Sequence, residues 1–167
     1  MGFHKLTQLR HYLLKLDPWL RDSPEMLHVS ATQGRIVATF TPRPTFTWDY
    51  DAEIIVENYA GDIDFMAHAL LAWAARHQHD LLANREKREE AFLFSATILN
   101  NDTARIHWII PVTENVVVEG GSGNLIFRHV EPAPAALPES QAVSGWHATV
   151  TDEVSGETTT LTGESDT

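Results

Sequence analysis

The chain has no cysteine among its 167 residues. Disulfides and thiolate chemistry are excluded, which fits assembly in a reducing cytoplasm, and the fold must be held by its own core. Long apolar runs are also missing. No stretch approaches the roughly 20 residues that a membrane-crossing helix needs, so no membrane partner is expected. Residues 1–16 mix charges among their leucines and carry no cleavage pattern, so no secretory leader is expected. Positive charge is scarce and lopsided: all 12 Lys and Arg precede residue 131. The net charge is −4 over residues 1–130 and −7 over residues 131–167. Phosphate binding needs a basic face, so direct nucleic-acid recognition is not expected. A protein partner with basic patches suits the acidic tail better.

What is present is 43 % apolar residues, enough for a real core. The length suggests one domain with an appendage. The stretch from Phe46 to Gln78 sets the pattern. Phe46, Trp48, Tyr50, Ala52, Ile54 and Val56 alternate with Thr47, Asp49, Asp51, Glu53, Ile55 and Glu57. A period of two predicts a strand with one apolar and one largely carboxylate face. Asn58, Gly61 and Asp62 supply a turn and a helix N-cap. Ile63, Met66, Ala67, Leu70, Trp73 and Ala74 then fall on one helical face.

Upstream, Leu6, Leu9, Leu13 and Leu16 form a helical stripe that Asp17-Pro18 ends. A loop over Arg21–Glu25, a short strand over Met26–Ser30 and a second strand over Arg35–Thr41 follow, closed by Pro42 and Pro44. Downstream, the charged run Asn84–Glu90 reads as a solvated loop or frayed turn. Ala91–Leu99 and Thr103–Ile110 alternate around Asn100-Asn101-Asp102, as a hairpin would. Pro111 ends that strand or marks a bulge, and Asn115–Glu119 and Asn124–Val130 are further strands around a glycine turn. The fold class expected is α+β: a mostly antiparallel five- or six-stranded sheet, one or two helices on one face, and a C-terminal extension. The expected division is a domain over 1–130, a Pro/Ala-rich linker over 131–139, and an acidic Thr/Ser/Gly-rich tail over 140–167. Trp146–Thr151 and Thr158–Thr162 could pair there as a hairpin, which is marginal alone and would be held by a neighbouring chain or sheet edge.

Catalytic machinery is not assembled by these residues. Gly120–Gly123 lacks the Lys-Ser/Thr and helix of a phosphate loop, and no serine sits in a nucleophile elbow. No catalytic, cofactor or metal residues are assigned. His77, His79 and His107 support an alternative reading as a small-molecule or metal-binding protein, but zinc needs three or four convergent ligands. Asp49, Asp51, Glu53 and Glu57 project to one sheet face, and Arg85, Lys87 and Arg88 offer the opposite sign. These seven are the subunit-interface candidates: a ring or complex that sets Arg and Lys against the row would turn its self-repulsion into specificity, and the alternative is a plain solvated face. Many strands without a reactive set point to an interaction protein.

Several segments, taken in order, resemble the tail completion protein R family of temperate contractile-tailed bacteriophages. They are the helix with Leu9 and Leu13, Pro24-Glu25-Met26-Leu27, Gly34 before Ile36, and the Tyr50–Val56 strand into Gly61-Asp62-Ile63-Asp64. Leu71-Ala72-Trp73, Ala91-Phe92-Leu93-Phe94, Ile98-Leu99-Asn100-Asn101-Asp102, Thr113-Glu114 and Glu131-Pro132 complete the series. The resemblance spans about residues 5–135. It implies a non-enzymatic virion protein at the head-proximal end of the tail, a tail terminator. Such a protein forms a ring, commonly a homo-hexamer, on the last tube layer and stops tube and sheath growth. Its implied partners are the tail tube protein, the sheath protein and the head-tail connector. The family carries no catalytic residues to transfer.

Overall fold

The computed structural model describes residues 2–39, 45–121, 123–131, 147–151 and 158–162. In order these form α1 (His4–Leu16), α2 (Pro18–Asp22), a 3-10 turn (Pro24–Met26), β1 (Leu27–Thr39) and β2 (Thr45–Tyr59). Next come α3 (Ile63–His77), α4 (His79–Ala83), α5 (Arg85–Glu90), β3 (Leu93–Ile98), β4 (Ala104–Gly121) and β5 (Asn124–Val130). β6 (His147–Thr151) and β7 (Thr158–Thr162) pair antiparallel as a separate two-stranded sheet. The fold is α+β. Its main sheet is antiparallel and five-stranded, in the order β1-β2-β4-β3, with β5 also paired to β4.

The period-two pattern of β2 becomes the inner face. Tyr50, Ala52, Ile54 and Val56 are buried opposite Val112, Ile110, Trp108 and Ile106 of β4. α1 buries its leucine stripe, and α3 buries Met66, Leu70, Trp73 and Ala74, in one cluster with those strand residues. Asp62 starts α3 as expected, its Oδ1 accepting from the Phe65 N–H at 2.8 Å. Gly61 is needed before it, because a Cβ there would lie 2.5 Å from the Tyr59 ring. Asp17 caps α2 through the Trp19 and Leu20 amides and also accepts from the Tyr59 hydroxyl at 2.5 Å.

Four local expectations change. The loop at Arg21–Glu25 is instead the end of α2 and the 3-10 turn; Pro18 stands at the first turn of α2, where its missing N–H is harmless. The strands expected over Met26–Ser30 and Arg35–Thr41 are one, β1, described to Thr39, with a bulge between Thr32 and Arg35 where Gln33 takes a φ of 51°. The charged run after Asn84 is helical; Asn84 caps α5 through the amides of Glu86 and Lys87, though no α5 residue is buried. Finally, β4 runs unbroken through Pro111 for 18 residues. Pro111 falls where β4 meets neither of its partners on that edge, since β3 ends its pairing at Ile109 and β5 begins at Asn115. A proline interrupts no ladder there. The linker expected after Glu131, and residues 40–44, lie outside the described residues.

Candidate functional site

β4 is the spine on which the notable surfaces are arranged. Its edge away from β2 is paired by β3 over Ala104–Ile109 and by β5 over Asn115–Gly121. The gap between them, Ile110–Glu114, is closed by a buried polar lock. Lys5 Nζ donates to His77 O (2.6 Å), Gln78 Oε1 (2.8 Å) and Thr113 O (2.8 Å). Three acceptors match the three ammonium protons, and the charge sits at the carbonyl end of α3, where the helix dipole favours it. Burial pushes the Lys5 ammonium below the usual lysine range, and Glu131, Glu114 and Asp80 partly offset this. Gln78 also donates to Thr113 Oγ1 at 2.8 Å.

Beside it stands Glu114, only 2 % exposed. Its carboxylate accepts from the Tyr50 hydroxyl, from the His4 backbone N–H at 3.0 Å, and pairs with His129 Nδ1 at 3.0 Å. Burial, then the neighbouring Glu114, hold the Tyr50 phenol protonated far above its ordinary range, so it stays a donor. The lock therefore ties the start of α1, the end of α3, β2, β4 and the root of β5 together. A second contact at the same root joins His77 Nδ1 to Glu131 Oε1 at 3.3 Å.

His77 makes this region sensitive to acid. Burial lowers its pKa below the ordinary histidine value, and the Glu131 carboxylate only partly counters that. A base with a depressed folded pKa contributes stability that is full above the unfolded value, about 6.5, and is lost as pH falls through its folded value. Denaturation midpoints are therefore expected to fall as pH drops below about 6.5, and His77→Asn should flatten that slope. An unchanged slope in His77→Asn would clear His77 of the effect.

The acidic row is less free than its sequence suggests. Asp49 pairs with Arg35 across to β1, and Glu57 pairs with Arg105 of β4 at 2.9 Å. Glu53 Oε1 lies 2.7 Å from His107 Nε2, an ion-pair contact off hydrogen-bond geometry. In α5, Arg85 pairs with Glu89 at 3.2 Å, and Lys87 pairs with Asp80 at 3.1 Å. Asp51 and Arg88 make no ion pair with the described residues. All these pairs are at least partly exposed and individually weak. His77, His79 and His107 are not brought together, and among the described residues no three metal-ligating side chains converge. No helix among the described residues is long and apolar enough to cross a membrane.

The strands that flank the two ends of β4 expose apolar residues. At one end, Phe94 stands beside Trp108 on the inner face yet is 64 % exposed, and Leu93, Ile98 and Leu99 are exposed around it. At the other, β5 and the adjoining ends of β1 and β4 form a largely exposed arm. Phe3, Trp48 and Tyr50 pack ring against ring at its base, with centroids 5.2 Å apart. Farther out Ile36, Leu125 and Phe127 are exposed on the inner side, and Ile126 and Val130 on the outer side. The runs Val116-Val117-Val118 and Leu125-Ile126-Phe127 have the near-continuous apolar character of strands covered on both faces.

Sequence reasoning missed the lock. Its signal was Glu114 itself: with the strand read through Pro111, it falls in phase with inward-facing Ile110 and Val112.

A family model for the P2 phage tail completion protein R (GpR) matches residues 3–134. Tail completion protein R of Escherichia phage P2 is 28 % identical over 134 residues, covering 80 % of this chain and 86 % of that protein. No solved structure matches.

Proposed function

The chain belongs to the P2 phage tail completion protein R (GpR) family, and from that premise we propose that it completes the tail by closing a ring on the head-proximal end of the tube. In that position it stops tube and sheath polymerisation and presents a docking surface to the head-tail connector. It does so as a structural component rather than an enzyme. The observation that supports this reading is the pair of exposed apolar surfaces flanking the two ends of β4, one on β3 and one on β5 and β1, with the buried hydrogen bonds of Lys5 and Glu114 between them. A ring is built from heterologous contacts, in which one patch meets a different patch on the next copy. One subunit with two unlike sticky ends meets that requirement.

In this reading the charged candidates flank the contact. The outer row of Asp49, Asp51, Glu53 and Glu57 faces Arg85, Lys87 and Arg88 of the next copy, steering and registering the subunits. The sheath and tube proteins meet the ring from the tail side, and the connector from the head side.

Reversing Arg85 and Arg88 to Glu tests the charged contact. Both residues are exposed, so folding stability should change by no more than about 0.5 kcal/mol. Ring formation, followed by light scattering, should weaken several-fold, on the order of 1 kcal/mol at low ionic strength, with a smaller difference at high salt. An unchanged mass distribution would remove these charges from the interface.

A further inference from the structure

β3 is the least defended edge of the main sheet. Sheet edges are normally blunted by charge, proline, a bulge or a covering segment. β1, the opposite edge, has its bulge and Arg35. β5 is tied down by Arg128 on Glu119 and His129 on Glu114. Among the described residues β3 has none of these: Leu-Phe-Ser-Ala-Thr-Ile is uncharged, pairs regularly with β4 alone, and is exposed at all six positions. An exposed, flat, uncharged edge is a template for another strand.

A matching strand exists in the chain. β6 and β7 are each five residues, His-Ala-Thr-Val-Thr and Thr-Thr-Thr-Leu-Thr, rich in β-branched residues and free of Asp, Glu, Lys and Arg. Among the described residues they pair only with each other, and an isolated two-stranded hairpin is marginal in water. Both strands lie beyond residue 134, where the family match ends, so they are an addition to the shared fold. The 15 residues from 132 to 146 can extend about 50 Å, far enough to reach a neighbour.

We propose that the β6–β7 hairpin of one copy adds to the free edge of β3 in the adjacent copy, extending its sheet from subunit to subunit. This inference rests on the proposed self-association. Main-chain hydrogen bonds supply the contact, and the Thr/Val composition fits the pleated edge.

The test is hydrogen exchange on the full chain in its assembled state, compared with a full chain carrying Val150→Pro and Thr160→Pro. Proline removes ladder donors and disrupts the hairpin. Amides of Leu93–Ile98 should exchange about 10-fold or more faster in the proline variant, with β2 and the centre of β4 unchanged. A double variant, Ser95→Cys with Thr149→Cys, should give disulfides between chains on oxidation, and no native cysteine competes. Equal β3 exchange in two assembled proteins would overturn the hairpin contact and leave the ring standing. Disulfides formed only within chains would overturn the exchange between copies. A full chain that stays monomeric by light scattering would remove the ring and the hairpin contact together.

Discussion

Replacing Glu114 with alanine is expected to lower folding stability by about 3–5 kcal/mol, the range for breaking one side of a buried charged network. The carboxylate is the acceptor for the Tyr50 hydroxyl, the His4 amide and His129. Alanine strands the Tyr50 hydroxyl in the core, leaves the His4 amide at the start of α1 without its acceptor, and takes negative charge from beside the buried Lys5. Glu114→Gln keeps an acceptor and a similar volume, so it should lose distinctly less. Urea denaturation at neutral pH measures both. A loss below about 1 kcal/mol in Glu114→Ala would mean that the lock is a passenger on the apolar core rather than what fixes the root of the arm.

The second large effect is on assembly. Phe127→Asp places a charge on the inner side of the arm at a residue 57 % exposed in the single subunit. Stability should move by no more than about 0.5 kcal/mol, because the side chain contributes little to the core. Self-association should weaken on the order of 100-fold, as for an aromatic at the centre of an interface. Ile126→Asp, on the opposite face of the same strand, should also weaken assembly if the arm is covered on both sides. Sedimentation equilibrium separates the outcomes. Wild-type association in both variants would exclude the arm from the subunit contact.

Much of the architecture was legible because the chain alternates cleanly where it is half-buried. β2 announced both its faces, and α3 announced its stripe and its Asp62 cap. The failures have physical causes. Pro111 reads as a stop, but its harmlessness depends on the gap between β3 and β5, a tertiary fact. The bulge at Gln33 hides the continuity of β1, because an extra residue shifts the alternation. Lys5 and Gln78 looked like ordinary polar residues, because their shared acceptor, Thr113, is more than 30 positions from Gln78 and more than 100 from Lys5. The acidic row was read correctly as one face, whereas its partners Arg35, Arg105 and His107 come from neighbouring strands and required the register. The apolar residues of β3 and β5 were assigned to strands, but only the packing of the folded chain shows that they are bare.

The most direct test is electron microscopy of assembled tail tubes incubated with the purified protein. A ring of density on one end of each tube, with those tubes no longer lengthening when tube protein is added, is the expected result. Tubes that keep growing with bare ends, while the protein remains a dispersed single subunit, would contradict it.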